Sequence, residues 1–135
     1  MLYRESFQVQ SKDRSYTFHD VTAKAKEIVR KSGIKEGICI IYCPHTTAAI
    51  TINENADPDV VKDLVFSFNT YFPDRKEYRH REGNSFAHLR SSLVGVSETV
   101  LVEKGSLVLG IWQGIYFAEF DGPRQRKFYV KVMAG

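Results

Sequence analysis

The sequence has little of what would direct a chain into a membrane, out of the cell or onto nucleic acid. Its longest apolar run, Ile38 to Cys43, is far shorter than the ~20 residues that a membrane-spanning helix requires. No basic and then apolar leader opens the chain, so secretion is not expected. Nineteen basic residues against sixteen acidic ones give a net charge of +3, too small an excess to indicate nucleic-acid binding. We therefore expect neither a membrane nor a nucleic-acid partner.

Cysteine is also scarce. The chain has two, Cys39 and Cys43, which lie four residues apart in a stretch that is typical of a strand. At about 3.3 Å per residue they would be roughly 13 Å apart, too far for a disulfide between them. Both thiols are therefore expected to be reduced, which favours a cytoplasmic location.

What is present is typical of one globular domain. The 135 residues fit a single domain spanning 1–135, and such a chain buries roughly 68% of the surface that its unfolded form exposes. Hydrophobic residues make up 43% and charged residues 26%, which is ordinary for a folded protein.

The hydrophobic pattern predicts eight strands, two main helices and one short helix. Runs of strands with few helices indicate an α+β fold with mainly antiparallel β-sheet layers. The first helix follows an Asp20 cap and ends at Gly33. The second begins at Asp57-Pro58 and ends before Pro73. The short helix is capped by Asn84 or Ser85 and runs through Leu93 to Gly95. The predicted strands are Leu2–Gln10, Ser15–His19, Gly37–Cys43, Ala48–Asn53, Glu98–Val102, Ser106–Trp112, Ile115–Glu119 and Lys127–Met133.

Three finer expectations follow from the same pattern. The continuous apolar run Gly37–Cys43 is typical of a strand buried on both faces. The last four strands are expected to form a meander, with turns at Glu103-Lys104-Gly105, Gln113-Gly114 and Asp121-Gly122-Pro123, and the first two strands are joined at Ser11-Lys12-Asp13. The second helix should bury one apolar face, made of Val60, Val61, Leu64, Val65 and Phe68.

Three of the four histidines, His45, His80 and His88, lie where strands or helices meet loops. On one continuous helix His80 and His88 would be roughly 12 Å apart, but Gly83-Asn84 interrupts the helix and lets the loop fold back. A three-imidazole site with an open coordination position would then suit zinc or another transition metal. The spacing alone favours the alternative, in which each histidine caps or bonds its own loop, because there is no short-range ligand pair.

Two charged groups are further candidates. Glu54 precedes a helix N-terminus and, unlike Asp57, has no capping duty, so it could act as a base or hold Mg²⁺. Arg124 and Arg126 have the period of a strand and would project from one face roughly 6.6 Å apart, a workable clamp for phosphates. On charge alone, a solvated basic face explains the arginines equally well.

Three ordered blocks of these residues resemble the YjbQ family, the secondary thiamine-phosphate synthase group, over nearly the whole chain. The first block is His45-Thr46-Thr47-Ala48-Ala49-Ile50-Thr51-Ile52-Asn53-Glu54-Asn55 with Asp57-Pro58-Asp59-Val60. The second comprises Tyr78, His80, Gly83-Asn84 and His88-Leu89. The third is Leu109-Gly110-Ile111-Trp112-Gln113, followed by Glu119, Asp121-Gly122-Pro123-Arg124 and Arg126.

The resemblance implies a compact α+β homotrimer with sites near the subunit boundaries. It also implies that His45, His80 and His88 are the metal ligands. The implied activity is a weak thiamine-phosphate synthase reaction, which joins a pyrimidine-methyl pyrophosphate to a thiazole phosphate and releases pyrophosphate. For such a small phosphorylated substrate we expect Glu54 and Arg124 to be catalytic, Mg²⁺ to be a candidate partner of the substrate, and the binding residues to be Arg124, Arg126, Asn84 and Asp121.

Two other functions fit the same residues. A metal-dependent hydrolase could use an open imidazole site, because a bound metal lowers the pKa of water to about 7. A non-catalytic trimeric module that binds a metal or ligand fits the modest charge and the large apparent core equally well.

Overall fold

The computed structural model describes residues 2–10, through their backbone, and residues 17–135. Helices and antiparallel strands mix along the chain, which confirms the predicted α+β class. The helices are α1 (Thr22–Ser32), α2 (Pro58–Tyr71) and α3 (Ser85–Val94). The strands are β1 (Leu2–Gln10), β2 (Phe18–Asp20), β3 (Gly37–Tyr42), β4 (Ala48–Glu54), β5 (Ser97–Glu103), β6 (Ser106–Leu107), β7 (Gln113–Glu119) and β8 (Gln125–Ala134).

The strands form two antiparallel sheets. The larger has the order β1-β8-β3-β5-β6, and the smaller has the order β2-β7-β4. The main core joins one face of each sheet to α1, whose Ala25, Ile28 and Val29 are buried. A second core, built around Phe86 and Phe120, covers the other face of the small sheet. Both faces of the small sheet are therefore packed.

The prediction that Gly37–Cys43 is buried on both faces is wrong. In β3 the buried side chains alternate, with Cys39 and Ile41 inside and Tyr42 exposed. The strand that is buried on both faces is β7, where every residue from Ile115 to Glu119 is buried. The reason is the second core, which adds a packing layer to the small sheet.

The final four strands do not form a meander. β5 and β6 make a hairpin, but β7 belongs to the other sheet and β8 lies between β1 and β3. The predicted turn at Gln113-Gly114 is also wrong, because both residues lie within β7. The chain turns earlier, where the Gln113 side chain accepts a hydrogen bond from the Gly110 N–H at 2.7 Å. Glycine is needed at 114 because a Cβ there would collide with the Asn55 side chain.

The ends of the three helices and the start of α2 follow the predicted caps, whereas the N-cap of α1 is Val21 and not Asp20. Gly33 ends α1 with a φ of 69°, and Asp57 caps α2 by accepting the Asp59 N–H at 2.9 Å. Asp20 accepts the N–H of Thr22 at 2.9 Å at the start of α1. The predicted burial of the apolar face of α2 is only partly confirmed. That face is half-buried in this chain, and Phe68 is its one residue that packs into the second core.

The remaining predictions concern the N-terminal segment, the two cysteines and membrane-spanning helices. The 11–13 turn and the start of the predicted 15–19 strand lie outside the described residues. Cys39 and Cys43 are free and buried, as predicted. Over the described ranges, no helix has both the length and the apolar character needed to cross a membrane.

Candidate functional site

A cavity of about 340 Å³ lies where the β3–β4 loop, the 80–84 loop, α3 and the start of β8 meet. It has the size of a small-molecule site, at the lower end of the usual range. Six of the predicted site residues line it together with their neighbours, although they come from four separate stretches of sequence. The lining residues are Pro44, His45, Thr46, Thr47, His80, Glu82, Asn84, His88, Arg124 and Arg126.

His45 is held by the backbone of β8. Its Nε2 lies 3.1 Å from the Lys127 carbonyl oxygen and 3.0 Å from the Lys127 nitrogen. The tautomer whose Nε2 donates to the carbonyl leaves the Nδ1 lone pair for a ligand, an arrangement common among metal-binding histidines, whereas the tautomer whose Nε2 accepts the Lys127 N–H carries its proton on Nδ1. Burial, with a smaller contribution from Arg126, lowers the pKa of His45, so the neutral imidazole is favoured.

His80, in the loop before α3, and His88, within α3, lie next to each other. A turn in which the Gly83 N–H bonds the His80 carbonyl at 3.0 Å folds the loop back, as the sequence predicted. Their ring centroids are 5.3 Å apart. Two imidazoles on one tetrahedral zinc, with Zn–N bonds of 2.0–2.1 Å, would have centroids about 5 Å apart, so this pair fits a shared metal.

The third ligand is not assembled with that pair. Within the described ranges, no three His, Cys, Asp or Glu side chains lie close enough together to hold a metal ion. His45 lines the same cavity, but it does not complete a three-imidazole cluster with His80 and His88. The donor chemistry fits zinc, whereas the full ligand set remains a prediction.

The floor of the cavity is a buried ion pair, and we use "floor" for Arg126, Glu119 and Thr47. Arg126 is only 6% exposed and Glu119 only 2%. The guanidinium makes two bonds to the carboxylate, Nε–Oε1 at 2.8 Å and Nη2–Oε2 at 2.6 Å. Nη2 also donates to Thr47 Oγ1 at 2.7 Å. Both Nε and Nη2 of Arg126 are thus used inside the fold.

The rim is more open, and we use "rim" for Arg124, Asp121, Asn84 and Glu82. The Arg124 side chain is 46% exposed. Its Nε donates to the Asp121 carbonyl at 3.0 Å and its Nη2 to Asp121 Oδ2 at 2.9 Å. Nη2 also lies 3.3 Å from Glu82 Oε2. Asp121 therefore orients Arg124 from below.

Asn84 joins the same network. Its Nδ2 donates to Asp121 Oδ2 at 2.8 Å and to Glu82 Oε2 at 3.0 Å. These two carboxylates fix the orientation of the amide, because a flipped amide would set its oxygen against theirs. The side chain makes no capping bond to α3, although the residue occupies the cap position. Its Oδ1 is buried and has no hydrogen-bond partner in the part of the chain that is described.

Glu54 lies outside this cavity. It ends β4, whereas the cavity is next to the start of that strand, so about 20 Å of extended chain separates the two. Its carbonyl accepts the Tyr116 hydroxyl at 3.1 Å. The predicted catalytic role of Glu54 is thus not supported by contact with the histidines within one copy of the chain.

The sequence analysis assigned no role to Thr47, Glu82 or Glu119. For Glu119 a signal existed: it is the single charged residue in the apolar run Ile115–Phe120, and a charge in a doubly buried strand needs a partner. Glu82 had no such signal, because it stands among other charged residues of the loop.

The comparisons with known proteins agree with the fold. Residues 5–135 match the family model described as "UPF0047 protein YjbQ-like". The UPF0047 protein YugU of Bacillus subtilis is 56% identical over 115 residues, 84% of this chain and 87% of YugU. The UPF0047 protein MJ1081 of Methanocaldococcus jannaschii is 47% identical over 133 residues, 98% of this chain and 94% of that protein.

Solved structures agree as well. A YjbQ/UPF0047 family protein of Clostridium acetobutylicum, described as uncharacterized, superposes with a TM-score of 0.92 at 47% identity, covering 96% of this chain and 99% of its own. A YbjQ-like protein of unknown function from Sulfolobus solfataricus also gives 0.92, at 32% identity, covering 100% of this chain and 99% of its own.

Proposed function

The chain belongs to the UPF0047 YjbQ-like family, and from this premise we propose that it is a transferase that joins a pyrimidine-methyl pyrophosphate to a thiazole phosphate. The thiazole nitrogen attacks the methylene carbon, the carbon–oxygen bond breaks, and pyrophosphate leaves with the electron pair. The observation that carries the proposal is the convergence of two arginines and three histidines on one cavity of about 340 Å³.

The arginines supply the positive charge that this reaction needs. Negative charge develops on the departing pyrophosphate, so preorganised donors near it stabilise the transition state. Arg124 is oriented by Asp121 while its side chain remains 46% exposed, which suits it to bind the leaving group. Arg126 is paired with Glu119, which balances its charge, so its part in the proposal is to hold the geometry of the floor.

The histidines would hold a metal in this proposal. His80 and His88 are the pair whose separation fits, and His45 is the third candidate. A divalent metal, bound as zinc or another transition metal at these rings or as Mg²⁺ with the substrate, would add positive charge beside the leaving pyrophosphate.

Assembly is part of the same proposal. Glu54 is about a strand's length from the cavity, so a catalytic role for it requires a second copy of the chain, as in the homotrimer that the resemblance implies. A location in the cytoplasm, expected from the two unbridged thiols, also stays a prediction.

The direct test is product formation from the two purified precursors, with zinc, with Mg²⁺ and with neither. We expect thiamine phosphate above background, and a large loss in Arg124→Gln. Arg75→Gln is the matched control, because Arg75 is an exposed arginine of another loop, pairs with Glu77 and does not line the cavity. A folded, metal-loaded protein that forms no product would refute the transferase.

The 5.3 Å separation of His80 and His88 also favours a second candidate, a metal-dependent hydrolase. Water activated at an imidazole-bound metal attacks esters or amides at neutral pH. A panel of phosphoesters, lactones and amides would test this function, with His88→Ala as the diagnostic variant. Hydrolysis that is unchanged in His88→Ala would exclude it.

A further inference from the structure

The Glu82 carboxylate occupies the place where an anionic ligand would bind to the rim. Its Oε2 accepts from Asn84 Nδ2 at 3.0 Å and lies 3.3 Å from Arg124 Nη2. One of these donors is cationic and the other is a buried amide, which together form a suitable site for a phosphate oxygen. We propose that Glu82 is an internal substitute for the ligand's anionic group and is displaced when a pyrophosphate group binds. The inference rests on the proposed function, because it takes this cavity as the pyrophosphate site.

The two carboxylates of the rim differ in how firmly they are held. The Asp121 side chain is 10% exposed, and its Oδ2 accepts from Arg124 at 2.9 Å and from Asn84 at 2.8 Å. The Glu82 side chain is 60% exposed and its contact with Arg124 is longer, at 3.3 Å. Exposed ion pairs of this kind contribute little to stability, so Glu82 can rotate into solvent when a ligand oxygen replaces its bond to the Asn84 amide.

When Glu82 leaves, the rim keeps its shape. Asp121 still bonds Arg124 through both its carbonyl and its carboxylate, and it still accepts one N–H of Asn84. The other N–H of Asn84 and the outward side of Arg124 Nη2 then become donors for the ligand. Asp121 is therefore a positioning residue, whereas Glu82 competes with the ligand.

This competition also sets which anions bind. A singly charged anion with one oxygen at the rim gains little over the carboxylate that it replaces. Pyrophosphate carries more charge and several oxygens, so it can replace Glu82 and also bind its neighbours. Glu82 thus makes the cavity selective for highly charged phosphate groups.

The test is the affinity for inorganic pyrophosphate, measured by titration calorimetry on the full chain. Glu82→Gln removes the competing charge, so we expect its Kd to fall on the order of fivefold relative to the unmodified chain. Glu77→Gln is the matched control, since it removes the same charge from the same loop at a residue that pairs with Arg75 and does not line the cavity. Its Kd should change by less than about twofold. In an Arg124→Gln background, Glu82→Gln should lose its advantage.

The inference is overturned if both glutamine variants change Kd equally, or if none of these proteins binds pyrophosphate. Its failure can be told apart from failure of the transferase. Tighter binding by Glu82→Gln without thiamine phosphate formation would refute the transferase and leave the role of Glu82 intact. Thiamine phosphate formation with an unchanged Kd would refute the role of Glu82 and leave the transferase intact.

Discussion

The floor and the rim of the cavity use the same residue type in opposite ways. Arg126 in the floor is 6% exposed and bonded twice to Glu119, whereas Arg124 in the rim is nearly half exposed and shares two carboxylates with Asn84. The two arginines are only two residues apart. The difference comes from their neighbours. Arg126 lies within β8 and bonds Glu119 of the buried strand β7, whereas Arg124 precedes β8.

This contrast indicates a division of labour. A buried, paired charge is expensive to disturb, so it fixes geometry, while a half-exposed charge can exchange partners with a ligand. The floor should therefore control stability, and the rim should control binding and turnover.

The largest expected effect is on the floor. Glu119→Ala leaves the Arg126 guanidinium buried without its partner, and we expect a loss of about 3–5 kcal/mol in the free energy of unfolding. Arg124→Ala, which removes a half-exposed side chain and its rim contacts, should cost about 1 kcal/mol or less. Urea unfolding of both variants measures the difference. Equal losses would mean that the floor and the rim do not differ as described.

The next largest effect is on turnover at the rim. Arg124→Gln removes the charge that would bind pyrophosphate, and we expect kcat/KM for thiamine phosphate formation to fall about 10- to 100-fold, the value of one or two charge-assisted hydrogen bonds. The free energy of unfolding should stay within about 1 kcal/mol of the unmodified chain. Steady-state kinetics on one preparation test the fall in kcat/KM, and urea unfolding of the same preparation tests the free energy of unfolding. Unaltered kinetics would contradict a role for the rim.

A smaller effect concerns the thiols in the core near the floor. Burial raises the pKa of Cys43 to about 11 and that of Cys39 to about 12. The folded state therefore favours the neutral thiols, and stability is complete below the unfolded pKa and falls as the pH rises toward 11. We expect a loss of roughly 2–3 kcal/mol per thiol by pH 11.

Unfolding by urea at several pH values between 8 and 11 measures that loss. Cys43→Ala should lower the starting stability but flatten the decline with pH, because one of the two titrating groups is gone. A decline as steep as in the unmodified chain would show that water reaches this side of the core.

The smallest effect should come from salt. Raising NaCl from 0.05 to 0.5 M should weaken pyrophosphate binding several-fold, because the exposed rim charges are screened. The free energy of unfolding that Glu119→Ala removes should change by less than about 0.5 kcal/mol over the same range, since buried pairs are screened much less. Calorimetric titrations and urea unfolding at both salt concentrations provide the comparison. If the free energy of unfolding lost in Glu119→Ala depended on salt as strongly as pyrophosphate binding does, the floor would be in contact with solvent.

The histidines show what local pattern can and cannot predict. The Gly83-Asn84 break correctly indicated that the chain folds back between His80 and His88. That His45 lines the same cavity could not be derived from spacing, because its position depends on the pairing of β3 with β8, 82 residues away in sequence. The family resemblance, and not periodicity, linked the three.

The two arginines show a second limit of prediction from local sequence pattern. A period of two predicted a clamp on one face, and both residues do line the cavity. The roles diverge because Glu119 lies on a strand of the other sheet, a pairing that no local pattern encodes. The second core, which packs on the small sheet from residues distant in sequence, likewise explains why β7 and not the apolar run of β3 is buried on both faces.

The most direct test of the account is a crystal structure of this protein with inorganic pyrophosphate. We predict that the anion bonds Arg124 and Asn84 at the rim, that the Glu82 side chain has turned toward solvent, and that Arg126 keeps its two bonds to Glu119. Pyrophosphate bound at another surface, or bound by an Arg126 that has released Glu119, would contradict the division between floor and rim.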